Sequence, residues 1–283
     1  MSDQIPKRII QFRIGAQVTQ TLRTRAVMSS MTLWNPDFEY LFFGDAQVKD
    51  LIDRDFPEYK SVFCSFPLTI QKCDFFRYLA IYRYGGFYFD SDVLLASNLS
   101  ALLDYGCIFP FEAITLSHHM RDNLQMDWQI GNYAFGATAG HPFLKAIIEN
   151  CVRGQKDRNW VKPMMRGCPP FLNDQFFIIN STGPGLVSRT LGESRELAKT
   201  VTILFPDDIC DRRNWNHFGE FGVHLMDSSW RVGRSFLRRK FTGYWWSRIE
   251  KKRVQESQKL GKTRDYPRKH PGVNGQIPKA CKA

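Results

Sequence analysis

A largely parallel α/β sheet wrapped by helices is the fold class this 283-residue chain predicts. Three observations predict it. Strand-like apolar runs alternate with helix-like stretches as far as residue 205. No internal repeat or low-complexity linker interrupts them before residue 231. The composition, 43% hydrophobic and 14% aromatic, is rich enough to bury a sizeable core.

The elements follow in order. Residues 5–14 (IPKRIIQFRI) read as a first buried strand with a proline near its start. Thr19 to Met31 is helix-compatible, and Asn35-Pro36-Asp37 breaks the chain. Phe38 to Phe43 is aromatic and strand-like, stopped by Gly44-Asp45, and a helix-like stretch spans 46–54. Pro67 can open a long helix, because proline is tolerated in the first turn. Phe75, Phe76, Leu79, Ala80 and Tyr82 then recur with helical spacing, and Gly85-Gly86 ends the helix. Phe87-Tyr88-Phe89 forms a short apolar strand leading into Asp90-Ser91-Asp92. Further alternating pieces follow at 107–111, 131–136, 141–152, 174–180 and 201–205.

The formal charge of +11 is unevenly spread. From Arg231 onward 16 Lys and Arg face 3 acidic residues, so the preceding body is nearly neutral, at −2. The basic excess therefore belongs to the tail, and a nucleic-acid-binding core is not indicated. The seven cysteines are scattered without a CxxC pair, which points away from a zinc knuckle or disulfide framework and toward idle thiols in a reducing compartment. No run approaches the ~18 consecutive apolar residues that span a bilayer, and Met1 to Lys7 lacks the apolar core of a signal peptide. The expected location is cytoplasmic, with the inner face of a membrane as a peripheral position.

In an open α/β sheet, ligands bind outside the carboxyl ends of strands, which is where Asp90 and Asp92 fall. Two carboxylates one residue apart can converge on a hard divalent cation such as Mn²⁺ or Mg²⁺, which keeps positions free for phosphate oxygens. On its own a DxD is as well explained by a surface turn or cap. The Asp74–Arg77 pair shares a helix face and, alone, reads as a surface ion pair. Sixteen residues separate Asp74 from Asp90, a path that can bring the start of the helix back beside the strand end.

The run from Asp74 to Asp92, D-x-x-R-Y-x-x-x-Y-x-x-G-G-x-Y-x-D-x-D, resembles the signature of DxD sugar transferases of the glycosyltransferase family 32 type. That group includes yeast-type initiating mannosyltransferases, globotriaosylceramide synthases and, more distantly, the clostridial glucosylating toxins. Ile5-Pro6-Lys7-Arg8-Ile9-Ile10-Gln11 is similar to the family's opening, with Ile10 in place of its usual His. Gly131-Asn132-Tyr133-Ala134-Phe135 with His141-Pro142, Thr182-Gly183-Pro184, and His224 through Ser229-Trp230 resemble later family segments. The resemblance runs in order from residue 5 to 230.

The resemblance implies a GT-A type, Rossmann-like nucleotide-sugar-binding domain and transfer of a hexose with retention. It implies that Asp92 binds the metal, that Asp90 contacts metal or donor ribose, and that His224 completes the metal site. Asp74 and Arg77 would grip donor hydroxyls and phosphate, Tyr88 and Asn132 would line the donor pocket, and Ser229 and Trp230 would contact the β-phosphate and close as a lid. Asn132 lies near the expected catalytic position. The donor would be UDP- or GDP-linked, and the acceptor a glycan, lipid-linked or glycolipid molecule, as in surface polysaccharide or glycolipid synthesis.

The simplest division is a catalytic domain over 1–230 and a basic extension over 231–283. In 236–254, Leu237, Phe241, Trp245 and Ile249 make an apolar stripe among basic residues. This suits either a helix on an anionic membrane surface or one docked on the catalytic domain, followed by a disordered tail beyond Lys262. Two readings of another class stand beside the glycosyltransferase. One is a haloacid-dehalogenase-type phosphohydrolase, with Asp207-Asp208 as later carboxylates. The other is a non-catalytic glycan- or nucleotide-binding relative.

Overall fold

The computed structural model describes residues 4–15, 22–206, 208–226 and 236–263, with side chains in the last stretch from 243 to 260. The first half of the chain forms β1 (Arg8–Phe12), α1 (Leu22–Trp34), β2 (Glu39–Phe43), α2 (Asp45–Asp55), α3 (Lys60–Ser65), α4 (Thr69–Tyr84), β3 (Gly86–Phe89), β4 (Val93–Leu95) and β5 (Cys107–Ile114). The rest forms α5 (His118–Leu124), β6 (Trp128–Ile130), β7 (Ala134–Ala137), α6 (Pro142–Lys156), α7 (Arg158–Val161), α8 (Asn173–Ser181), α9 (Pro184–Glu193) and α10 (Arg195–Ala198). It closes with β8 (Thr202–Leu204), β9 (His217–Phe218), β10 (Gly222–His224) and α11 (Phe236–Thr263).

Seven strands make the main sheet in the order β2-β1-β3-β7-β5-β6, with β8 also paired to β5. β2, β1 and β3 run parallel, as do β5 and β8, while β7 runs antiparallel to both β3 and β5. The α/β class is the one expected, with the acidic motif at the carboxyl end of a parallel strand. The sheet is mixed because the chain from β6 to β7 doubles back along β5.

Alternation along the central strands fills both faces. Ile9, Phe87 and Phe89 point into one apolar cluster with Val27 and Met31 of α1. Ile10 and Tyr88 point into the other, with Phe75, Phe76 and Leu79 of α4. α4 is buried continuously from Asp74 to Ile81. Such a helix must carry any charge it has into the interior, so Asp74 and Arg77 are core residues rather than a surface pair.

Two glycines let α4 turn sharply into β3. Gly85 and Gly86 adopt φ of 64° and 104°. A Cβ on Gly86 would lie 2.6 Å from the Arg8 carbonyl oxygen, so side-chain-bearing residues are shut out of this crossing. Boundaries differ where local sterics intervene. α4 starts at Thr69, leaving Pro67 just outside it, and the first helix, described from Leu22, runs past Met31 to Trp34. The run at 131–136 splits, because Gly131 sits where a Cβ would meet the Tyr133 ring at 2.5 Å, and this bend separates β6 from β7.

The basic tail forms a helix longer than the 236–254 segment, reaching Thr263. It is docked on the body. Trp246 stacks on Phe176 and its indole N–H donates to Gln175 at 2.6 Å. Glu250 and Glu256 pair with Arg212 and Arg121, and Ser257 is fully buried. The buried line therefore runs through Trp246, Arg253 and Ser257. Trp245, placed in the apolar stripe by sequence, instead packs half-buried against Phe171.

Candidate functional site

A cleft of about 400 Å³ opens at the carboxyl ends of β1 and β3. Asp74, Arg77, Tyr88, Asp90, Asp92, Asn132 and His224 all line it. Three structural devices bring them together from distant parts of the chain.

The first is α4. Its buried Arg77 reaches the strand end, pairing with Asp90 at 3.0 Å and Asp74 at 3.1 Å. It also donates to the Asn132 carbonyl at 2.8 Å and lies over the Tyr88 ring. The second is the β6–β7 turn. Asn132 Nδ2 donates to Asp74 at 3.1 Å and to the Tyr78 hydroxyl at 2.9 Å. The Tyr133 carbonyl accepts from the Asp90 N–H at 2.7 Å. The third is the small antiparallel sheet β4-β10-β9. Its register sets His224 opposite Val93, so His224 Nε2 lies 3.2 Å from Asp92. The Leu225 N–H also donates to the Asp92 carbonyl at 2.8 Å, and Tyr133 stacks on the imidazole with centroids 4.4 Å apart.

Burial sets the electrostatics. Asp74 is pushed up to about 6 by loss of solvent, against the pull of Arg77 and the Thr182 hydroxyl. Burial also raises Asp90, although Arg77 and the Tyr88 hydroxyl hold its charged form. At His224 burial opposes the charge, but the hydrogen bond and negative charge of Asp92 outweigh it and raise the imidazole.

The donor set suits a divalent cation. Asp90, Asp92 and His224 offer two oxygens and a nitrogen, all within 4.8 Å of one another. Oxygen with imidazole ligands is the chemistry of Mn²⁺ and similar ions. His224 Nδ1 is buried without a partner among the described residues, so the ring is not held by hydrogen bonds at both nitrogens.

Residues 21–108 match the family described as glycosyltransferase sugar-binding region containing DXD motif. That match runs from just before α1 to the start of β5. Inositol phosphoceramide mannosyltransferase 3 of Schizosaccharomyces pombe is 32% identical over 119 residues, covering 42% of this chain and 30% of that protein. Initiation-specific alpha-1,6-mannosyltransferase of Candida albicans is 26% identical over 173 residues, covering 56% and 44%. The chain spans less than half the length of these relatives. Among solved structures, the PaToxG glycosyltransferase is 14% identical with a TM-score of 0.48, over 69% of this chain and 72% of that one.

The matched segment contains Asp74, Arg77, Tyr88, Asp90 and Asp92, whereas Asn132 and His224 reach the same cleft from outside it. Ser229 and Trp230, the expected lid residues, lie outside the described residues, as does Asp207. Asp208 bonds the Cys210 N–H at 2.7 Å and is not among the residues lining the cleft. Sequence reasoning passed over Tyr78 and Thr182 as site residues. Tyr78 carries the Y of the D-x-x-R-Y run, and its hydroxyl donates to the Thr182 carbonyl at 2.9 Å. The Thr182 hydroxyl in turn donates to Asp74 at 2.9 Å. Both stand within recognisable motifs, but only the fold shows that they brace Asp74.

A divalent ion at this cluster must displace the proton from His224. Mn²⁺ titrated calorimetrically is expected to bind more weakly as pH falls through the raised His224 value. Asp92→Asn and His224→Ala should each weaken binding by at least about 10-fold, the lower end for loss of a supporting group. Unchanged affinity in both variants would place the ion elsewhere.

Proposed function

We propose that the chain is a metal-dependent glycosyltransferase that moves a hexose from a nucleotide-diphosphate sugar to a glycan or lipid-linked acceptor, with retention at the anomeric carbon. The observation that carries it is the Asp90–Asp92–His224 cluster beside the buried Arg77 network in one cleft. The names of the curated relatives, mannosyltransferases acting on inositol phosphoceramide or initiating α-1,6-mannosylation, support a hexose and a glycan or lipid acceptor. A body over 1–230 and an extension from 231 that completes its cleft are part of this reading.

Each residue has a role that its surroundings permit. The metal held by Asp90, Asp92 and His224 would offset negative charge on the departing diphosphate. Arg77, fixed by two carboxylates, keeps a positive charge facing that charge in a site with little water. Asp74, raised by burial but held by the Arg77 charge and the Thr182 and Asn132 donors, can accept from a donor sugar hydroxyl. Asn132 uses Nδ2 on Asp74 and Tyr78 and its backbone carbonyl on Arg77, so its side-chain Oδ1 is the group it can offer the sugar. An amide in that role orients the sugar and is too weak a nucleophile to form a covalent intermediate. Transfer is then front-face. The acceptor oxygen bonds the anomeric carbon on the face that the diphosphate leaves, and the acceptor proton passes to the leaving phosphate oxygen. Ser229 and Trp230 complete this reading as β-phosphate contacts and lid.

The outer side of α11 supports a peripheral position on an anionic membrane. Arg248, Lys251 and Lys252 are exposed there, beside Tyr244 and Phe171, which are 57% and 41% exposed. Aromatic rings rimmed by cations suit a bilayer interface. No described helix is long and apolar enough to cross a membrane.

A screen of UDP-glucose, UDP-galactose, UDP-N-acetylglucosamine and GDP-mannose with Mn²⁺ is expected to give nucleoside diphosphate release from one donor. EDTA should abolish it, and Asp92→Asn should lower it by on the order of 100-fold, the scale of losing one preorganised electrostatic group. Silence with all donors, alongside hydrolysis of a simple phosphate ester, would contradict the assignment. The membrane position predicts co-sedimentation with phosphatidylserine vesicles that falls with salt and is lost in the Arg248→Glu/Lys251→Glu/Lys252→Glu triple variant. Equal sedimentation of that variant would rule out this membrane-binding face.

A further inference from the structure

Besides the metal cluster, the cleft is lined by two polar side chains with donor capacity left unused among the described residues. Gln129, at the centre of β6, is 6% exposed and lines the cleft. Its oxygen accepts from Arg253 at 3.3 Å, but among the described residues its amide nitrogen meets only the Met120 thioether at 3.8 Å. A thioether is a weak acceptor, so a buried amide here is poorly served. Arg253 of α11 lines the same cleft. It bonds Glu250 at 3.0 Å and Gln129, and its Nε is buried without a partner among the described residues. A guanidinium carries five N–H donors, and only two are engaged here among the described residues.

This wall joins the catalytic side through a very short path. Gln129 is three residues before Asn132, whose amide sits in the Asp74–Arg77 network. Between them, a Cβ on Gly131 would lie 2.8 Å from the Glu112 carboxylate, so Glu112 lies against that bend. Its negative charge contributes to raising both Tyr133 and His224. A molecule resting on Gln129 and Arg253 is therefore next to the sugar-holding residues and outside the metal cluster.

The chemistry of the wall selects the ligand class. Glu250, which Arg253 shares with Arg212, offsets part of the Arg253 charge, and Glu112 adds a second carboxylate, so the wall is not a purely cationic cradle for a phosphate. An amide, a guanidinium and a carboxylate side by side match adjacent hydroxyls, which both donate and accept. Trp246 and Pro184 add apolar lining for the carbon face of a ring.

We propose that Gln129 and Arg253 form the acceptor subsite, and that it takes a polyhydroxylated ring presented by a free glycan or a lipid headgroup. This rests on the glycosyltransferase reading above. The two sides of α11 thereby differ in function, since its buried face carries the acceptor side of the cleft while its outer face stays basic.

The test uses the full chain with Mn²⁺ and whichever donor is turned over. The acceptor probes are methyl α-mannoside and myo-inositol in solution, and phosphatidylinositol in phosphatidylcholine vesicles. Gln129→Ala and Arg253→Met should each raise acceptor KM by about tenfold or more, the effect of losing a hydrogen bond to a bound hydroxyl, while donor KM moves far less. Arg253→Lys should recover part of the loss. Transfer to the free rings identifies a glycan end, and transfer only in vesicles identifies a headgroup. If Arg253→Met melts early through loss of its α11 bonds, Gln129→Ala alone decides. Wild-type acceptor KM in the variants, or donor turnover without transfer to any probe, overturns the subsite. Absence of metal-dependent turnover with every donor would instead remove the glycosyltransferase reading, and the subsite with it.

Discussion

Arg77 carries a positive charge into a part of the molecule that is almost closed to water, 4% exposed, and the chain answers it from three directions. Asp74 answers from the same helix, Asp90 from the end of β3, and the Asn132 carbonyl from the β6–β7 turn. A buried pair broken by losing one partner costs about 3–5 kcal/mol, because the other charge is left uncompensated. That penalty fixes the strand end, the helix and the turn relative to one another. Asp92 and His224 are then placed by the β4–β10 pairing that continues from the same strand end. The acidic cluster is thus held at Asp90 by the buried guanidinium and at Asp92 and His224 by the β4–β10 pairing.

Much of this was legible in the residues. The alternation of apolar runs marked the parallel strands, and the Gly85-Gly86 pair marked the turn that α4 makes into β3. The Asp74-to-Asp92 run held six residues of the cleft within nineteen positions, at a spacing that a helix, a turn and a strand convert into contact. The burial of the Asp74–Arg77 pair was not legible. Spacing of three places two side chains on one face of a helix, but it does not say whether that face meets water or protein. The middle of α4 is buried on all sides because β3, β7, α3 and α6 pack around it, which is long-range information.

The tail shows the same boundary more sharply. An apolar stripe drawn through Trp245 suggested one surface for α11, yet the buried line passes one residue away, through Trp246, Arg253 and Ser257. What decides it is specific: the Gln175 amide reached by the Trp246 indole, and the Arg212 and Arg121 partners of Glu250 and Glu256. Charges that seemed to belong to a solvated face instead position the helix. Tyr78 and Thr182 were similarly hidden, because bracing an aspartate from behind is a role that appears only when distant segments meet.

Everything proposed for the chemistry depends on this cluster holding the cation on which a nucleotide-sugar diphosphate is bound. Anomalous scattering from crystals grown with Mn²⁺ and the nucleoside diphosphate of the active donor would locate that cation. A single manganese peak bounded by Asp90, Asp92 and His224, with the diphosphate against it, is the expected result. A well-ordered nucleotide with no peak there, or with manganese at another set of residues, would contradict it.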